Sequence, residues 1–69
     1  MYKDKFSKNL RALREQAGFS QTHIAKEIGL SARQVSYLES GTNEPGLDTL
    51  VKISRLFDVT VDELLGLKE

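Results

Sequence analysis

The chain has 69 residues, of which 29% are charged and none is cysteine. Because a chain this short buries only about 60% of its unfolded surface, the sequence predicts a single domain over residues 1–69. Disulfides and Cys-ligated zinc are excluded, and His23 alone cannot form a metal site, so no metal or cofactor is expected. Neither a signal-peptide pattern nor an apolar run of about 18 residues is found, which predicts a soluble, cytoplasmic protein that does not associate with membranes.

The formal net charge is zero, but the charges are unevenly distributed. Residues 1–40 contain seven basic and four acidic side chains, a balance of +3, whereas residues 41–69 contain three basic and six acidic ones, a balance of −3. Nucleic-acid-binding proteins usually show an excess of basic residues. The whole chain lacks such an excess, but residues 1–40 have one. The asymmetry fits either a binding surface or chance clustering on solvated faces.

Residues 5–17 have the pattern of an amphipathic helix. One helical face carries four apolar residues, namely Phe6, Leu10, Leu13 and Ala17. Either Asp4 or Ser7 is expected to cap the start of this helix, and Gly18 is expected to end it.

A helix start signal occurs three times along the rest of the chain. It consists of an apolar residue, a Ser or Thr, and a second apolar residue four positions after the hydroxyl. The copies are Phe19-Ser20-Ile24, Leu30-Ser31-Val35 and Val59-Thr60-Leu64. Each is typical of a hydrophobic staple around an N-cap hydroxyl, and Gln34 and Glu63 complete two capping boxes. These signals predict helices over residues 21–28, 32–39 and 61–66.

Residues 46–57 are the remaining predicted helix. The chain enters it through the loop of residues 42–46, where Pro45 suits a first-turn position, and Asp48 favours the positive end of the helix dipole. The segment contains six large apolar residues, namely Leu47, Leu50, Val51, Ile53, Leu56 and Phe57. Because they cover a wide arc, we expect a central helix packed on several sides. No strand pattern competes, so the predicted fold class is all-α, a compact domain of five helices.

Only Gly29, Leu30 and Ser31 separate the second and third predicted helices. Gly29 lies where a helix-ending residue takes the left-handed conformation, and Val35 and Leu38 are placed to face the core. The outer face of the third helix then carries Ala32, Arg33, Ser36, Tyr37 and Ser40. This arrangement is typical of a helix-turn-helix, although it also fits a helical hairpin whose outer face is merely solvated.

A longer pattern extends from this pair of helices. Residues 20–41 have the form S-Q-x-x-I-A-x-x-I-G-L-S-x-x-x-V-S-x-L-E-x-G, and they are followed by Pro45 and by LVKISRLFDVTVDELL. This pattern resembles the Cro/CI-type (XRE) helix-turn-helix regulators, which include lambdoid phage repressors. The resemblance covers nearly the whole chain, to Leu65, and implies a lambda-repressor-like domain that binds double-stranded DNA.

The resemblance also implies which residues contact DNA. The positions that read bases in the family correspond to Ala32, Arg33, Ser36 and Tyr37. Arg33 suits the two acceptors of guanine, and the methyl group of Ala32 suits a thymine methyl. Phosphate contacts correspond to Gln21, Ser40 and Asn43. The loop GTNEPG carries Glu44 and no Lys or Arg, unlike more basic members, so strong phosphate anchoring from this loop is not expected.

The remaining family positions are structural. Arg14 and Glu39 match an ion pair that joins the first helix to the end of the third, and with Gly29 they are expected to support the recognition helix. Family members often dimerise through the last helix, where Val61 and Leu65 are expected to be exposed. The resemblance therefore implies a homodimer, for which we predict an interface formed by Val61, Leu65 and Leu67.

The predicted function is sequence-specific binding of double-stranded DNA to regulate transcription, with repression as the expected outcome. In this interpretation a homodimer inserts residues 32–39 of each copy into the major groove at an operator with two half-sites. The alternative is a protein-binding module, such as an antitoxin or adaptor, with the same fold. The carboxylates of Asp58, Asp62 and Glu63 occupy turn or first-turn positions without a cleft, so neither an enzyme nor a small-molecule ligand is expected.

Overall fold

The computed structural model of the chain describes residues 2–67. Five α-helices follow one another: α1 (Tyr2–Ala17), α2 (Gln21–Ile28), α3 (Ala32–Glu39), α4 (Leu47–Phe57) and α5 (Val61–Leu65). Residues 2–67 contain no strand, so the predicted all-α fold of five helices is confirmed. None of these helices is long and apolar enough to span a membrane.

Hydroxyl caps start three of the five helices. The Ser20 side chain accepts a hydrogen bond from His23 N–H, while Ser31 and Thr60 form complete capping boxes with Gln34 and Glu63. These local bonds satisfy amides that a helix leaves without partners at its start. The predicted starts of α2, α3 and α5 are therefore confirmed, and α5 ends one residue earlier than predicted because Gly66 adopts the left-handed conformation.

The predicted start of α1 is wrong. The helix begins at Tyr2, three residues before the predicted position, and both proposed caps lie inside it. The Ser7 hydroxyl donates to the carbonyl of Lys3 at 2.7 Å, a bond to the preceding turn that is compatible with a helix interior. A second correction concerns α4, which begins at Leu47 after the N-cap Gly46, so that Pro45 precedes the helix.

All five helices contribute to one hydrophobic core. Its buried members are Phe6, Leu10, Ile24, Ala25, Ile28, Val35, Leu38, Ile53 and Leu64. Helix α1 packs against α3 and α5, while α2 packs against α3 and α4. Helices α2 and α3 therefore pack against each other, and each is also held by one further helix.

Helix α4 is not surrounded, in contrast to the prediction. Only Ile53 is buried on it, whereas Leu47 is 82% exposed and Val51 is 44% exposed. Its main packing partners are α2 and α5. A wide apolar arc in so small a domain thus leaves apolar surface exposed.

Candidate nucleic-acid interface

The three-residue turn between α2 and α3 fixes the angle between these helices. Gly29 has φ 72° and donates its N–H to the carbonyl of Ala25, and Leu30 N–H donates to the same carbonyl at 2.9 Å. A Cβ at Gly29 would meet only Lys52 Nζ, at 3.5 Å, so the backbone conformation rather than space favours glycine here. Leu30 then packs against the core and directs the chain into α3.

Helix α3 has one buried and one exposed face. Val35 and Leu38 are buried, whereas Arg33, Ser36 and Tyr37 are exposed. Ala32 is partly buried at the start of the helix. The guanidinium carbon of Arg33 lies 6.0 Å from the centre of the Tyr37 ring, at the outer limit of a cation–π contact. The exposed face thus presents a cation, an aromatic ring and a hydroxyl together.

The carboxyl end of α3 is tied to α1 by a bidentate ion pair. Arg14 Nε donates to Glu39 Oε2 at 2.6 Å, and Arg14 Nη2 donates to Glu39 Oε1 at 3.0 Å. The third donor, Nη1, reaches the carbonyl of Phe19 at 2.8 Å. The two side chains are only 13% and 5% exposed, so this pair is largely shielded from solvent. One guanidinium therefore holds α1, the α1–α2 connection and α3 together.

The hydrogen bond from Glu39 is the main cause that raises the pKa of Arg14 above its usual value. Desolvation acts in the opposite direction, and the charges of Glu39 and Glu15 add to the increase. Because the pKa moves further above neutrality, the guanidinium carries its full charge wherever the domain is folded. Arg14 thus supplies the positive charge of the ion pair throughout the neutral pH range.

Several of the residues expected to contact DNA lie around one surface depression. It is lined by Arg11, Arg14, Gln21, Ser36, Glu39 and Ser40, and so joins α1, α2 and α3. Gln21 is the first residue of α2, and its Nε2 lies 3.2 Å from Glu39 Oε1. Asn43 lies apart, in a second depression with Gln34 and Pro45. The structure therefore brings together Gln21, Ser36 and Ser40 but not Asn43.

Arg11 is a functional candidate that the sequence reasoning missed. Its side chain is 63% exposed at the rim of the depression, and its nearest acidic partner is Glu15 at 3.5 Å. Such an exposed pair contributes little to stability and leaves the guanidinium accessible. The spacing of Arg11 and Arg14, three residues apart on one helix face, could have indicated that both reach the same surface.

The surface around α5 differs in part from the expectation. Val61 and Leu65 are both partly buried rather than fully exposed, and Leu65 packs against the core. Leu67 is 49% exposed. The most exposed large apolar side chain among residues 2–67 is Leu47, on α4, which the sequence had assigned to a covered position.

The lone histidine is part of a surface contact. The ring of His23 stacks on Phe19 with centroids 4.4 Å apart, and its Nε2 lies 3.9 Å from Glu27. Within residues 2–67 no three His, Cys, Asp or Glu side chains come together in a way that could hold a metal ion.

Comparison with known proteins places this geometry in a family. The family model described as helix-turn-helix matches residues 10–64, which include α2, α3 and α4 completely. The chain is also similar to the restriction-modification controller protein C.AhdI from Aeromonas hydrophila. That crystal structure superposes with a TM-score of 0.81 at 32% identity, over 90% of this chain and 94% of that one.

Two curated relatives extend the comparison. The HTH-type transcriptional regulator ImmR of Bacillus subtilis is 36% identical over 62 residues, which is 90% of this chain and 49% of ImmR. The cryptic phage CTXphi transcriptional repressor RstR of Vibrio cholerae is 34% identical over 62 residues, 90% of this chain and 55% of RstR. The chain thus spans about half the length of these curated relatives. By its helix-turn-helix, its matched residues and its relatives, the chain belongs to the Cro/CI-type (XRE) family of helix-turn-helix regulators.

Proposed function

We propose that this protein binds double-stranded DNA sequence-specifically and regulates transcription, with α3 inserted in the major groove. The observation that carries the proposal is the exposed face of α3, which displays Arg33, Ser36 and Tyr37. On the opposite face, Val35 and Leu38 are buried in the core and hold the helix in place. B-DNA's major groove, about 12 Å wide, admits one α-helix and displays a distinct set of donors and acceptors for each base pair. Arg33 and the Ala32 methyl group supply direct readout, and Ser36 and Tyr37 complete the reading surface.

Contacts to the DNA backbone orient this helix. The amides of Gln21 and Thr22 precede the first helical hydrogen bond of α2, which runs from Ile24 N–H to Ser20 O at 3.1 Å. Such amides, at the positive end of a helix dipole, favour a phosphate. The exposed side chains of Ser40 and Asn43 are the further phosphate contacts of the proposal. No cofactor, small-molecule ligand or catalytic step is part of it.

The assembly we propose is a cytoplasmic homodimer that represses transcription from an operator with two half-sites. Repression is supported by the similarity to RstR, which is itself named a repressor. The homodimer is supported by apolar side chains left accessible on or near α5, at Val61, Leu65 and Leu67. A second candidate function is that of a protein-binding module, such as an antitoxin or adaptor, which the exposed Leu47 and Val51 on α4 favour.

Selection of bound sites from random duplex DNA tests the proposal. We expect an enriched motif with two similar half-sites whose centres lie about one helical turn, or roughly 34 Å, apart. Enrichment of no motif would reject sequence-specific binding and favour the protein-binding module. A motif with a single half-site would retain the DNA function and reject the dimeric operator.

Val61→Glu is expected to leave the domain folded but to abolish cooperative filling of the two half-sites. Val61 is the first residue of α5 and only partly buried, so the new carboxylate remains hydrated in the monomer but becomes desolvated in a dimer interface. Titration of DNA with one or two half-sites measures the cooperativity.

The matched control for this variant is Val51→Glu, the same substitution on the exposed side of α4. We expect it to preserve cooperativity. If Val61→Glu still bound cooperatively and Val51→Glu did not, the dimer interface would be assigned to α4 instead of α5.

The dependence of DNA affinity on salt is expected to be shallow. The chain has no net charge, and the loop between α3 and α4 carries no Lys or Arg, so each subunit neutralises few phosphates. Since the slope of log affinity against log salt is about −0.9 per phosphate neutralised, it should be small beside that of strongly basic regulators.

Equilibrium titrations over a range of salt concentrations measure this slope. Ala variants at Gln21, Ser40 and Asn43 should lower the affinity and leave the slope unchanged, because these side chains carry no charge. A slope of log affinity against log salt of about −10 for the dimer would contradict the prediction.

A further inference from the structure

The side-chain amide of Gln21 is held by a residue from another helix. Its Nε2 lies 3.2 Å from Glu39 Oε1, and the two residues are 18 positions apart in the sequence. Glu39 is shielded from solvent, and its two oxygens also accept the bidentate bonds from Arg14. The ion pair between α1 and α3 is therefore extended to the first residue of α2.

The chemistry of this contact fixes the orientation of the amide. A carboxylate paired with arginine only accepts hydrogen bonds, so the nitrogen of the Gln21 carboxamide, and not its oxygen, must face Glu39. The NH₂ group has two hydrogens, of which Glu39 accepts one. The second hydrogen stays available as a donor, and the carbonyl oxygen is turned away from the carboxylate.

This orientation matters for binding an anion. A carboxamide free to rotate by 180° presents either a donor or an acceptor to a phosphate, and the acceptor is repelled. Gln21 lies in the depression lined also by Arg11, Ser36 and Ser40, beside the exposed face of α3. Arg14 compensates the charge of Glu39, so the carboxylate can orient the amide with less repulsion toward an approaching phosphate.

We infer that Glu39 is a positioning residue for DNA binding, whose carboxylate holds the Gln21 amide as a donor to a backbone phosphate seated in this depression. The phosphate contact in this inference rests on the proposed function, whereas the contact between Gln21 and Glu39 is observed in the structure. The ion pair then acts on DNA binding through Gln21 as well as through the placement of α3.

The contact is tested first in the free protein. NMR measures the solvent exchange of side-chain amide protons, and one proton of Gln21 is expected to exchange about five-fold more slowly than those of Gln16, as suits one modest hydrogen bond. Gln16 is exposed on α1, and Gln34 provides a second control because its oxygen, not its nitrogen, is used by the Ser31 capping box. Exchange of both Gln21 protons at the rate of Gln16 would overturn the inference.

A double-mutant cycle then tests the effect on DNA. On the operator found by selection, Gln21→Ala is expected to weaken binding about five-fold per half-site, and Glu39→Gln at least as much because it also disturbs the placement of α3. The double variant is expected to bind no more weakly than Glu39→Gln alone. If Glu39 acted only by supporting α3, the two losses would multiply, and the inference would be wrong. Unfolding by urea checks that each variant is folded; should Glu39→Gln not fold, the exchange measurement decides, since it needs no substitution.

The two proposals fail in different ways. If the unsubstituted protein binds its operator but the affinity losses of Gln21→Ala and Glu39→Gln multiply in the double variant, the positioning role is rejected. The DNA-binding function is then retained. A protected Gln21 proton in a protein that binds no duplex rejects the DNA-binding function, and with it the phosphate contact.

Discussion

Replacing Arg14 with methionine is expected to lower the free energy of unfolding by about 3–5 kcal/mol, because it leaves the shielded carboxylate of Glu39 without its counter-charge. The same change removes the bond to the carbonyl of Phe19. Since the total stability of a small domain can be as low as about 5 kcal/mol, such a loss would leave only about 0–2 kcal/mol and lower the melting temperature strongly. Urea denaturation followed by circular dichroism measures the loss.

Arg11→Met is the matched control, because Arg11 lies on the same helix but forms only an exposed pair with Glu15. We expect its effect on the free energy of unfolding to be about 1 kcal/mol or less. Equal destabilisation by the two variants would contradict the structural role of the ion pair.

The raised pKa of Arg14 gives this contribution a defined pH range. A basic group whose pKa is higher in the folded state stabilises fully at pH values below its ordinary pKa, and the stabilisation is lost as the pH rises through the folded pKa. Both values lie far above neutrality. The contribution of Arg14 is therefore independent of pH under physiological conditions.

Arg33→Ala is expected to weaken binding to the preferred operator by about 1–3 kcal/mol per half-site, with discrimination relaxed at one base pair. Arg33 is exposed on α3 and its side chain caps nothing, so the fold should be unaffected. The reason for the loss is the fork of two hydrogen bonds to a guanine. Dissociation constants on the selected operator and on an unrelated duplex measure both effects.

The matched control for Arg33 is Arg55→Ala, which removes the same charge from the exposed side of α4. It should change neither operator affinity nor sequence preference. Equal losses by Arg33→Ala on preferred and unrelated duplexes would make Arg33 a phosphate contact. No loss on either would favour the protein-binding module.

The parts of the fold that were predicted correctly depend on short-range signals. The bounds of α2 and α3 agree with the prediction because Ser20 and Ser31 cap their starts within three residues and Gly29 ends α2. The start of α1 was predicted wrongly, because Ser7 is chemically suited to a cap but bonds instead to the preceding turn. Sequence pattern cannot decide between these two uses of a hydroxyl.

Properties that depend on tertiary arrangement were predicted less well. The apolar arc of α4 indicated burial, but burial depends on how many elements the domain has to cover it, and Leu47 is left exposed. For the site, the pattern indicated the outer face of α3 and its residues. It did not indicate that Gln21 meets Glu39 or that Arg11 lies at the same depression, because these contacts arise only when three helices come together.

Helix α3 is held at both ends, by the capping box at Ser31 and by the ion pair at Glu39. Its backbone is thus already ordered before any ligand arrives. Association then costs the rotamer freedom of a few surface side chains, such as Arg33 and Tyr37, and not the entropy of folding a segment. A negative heat-capacity change on binding would accordingly report surface removed from water rather than coupled folding.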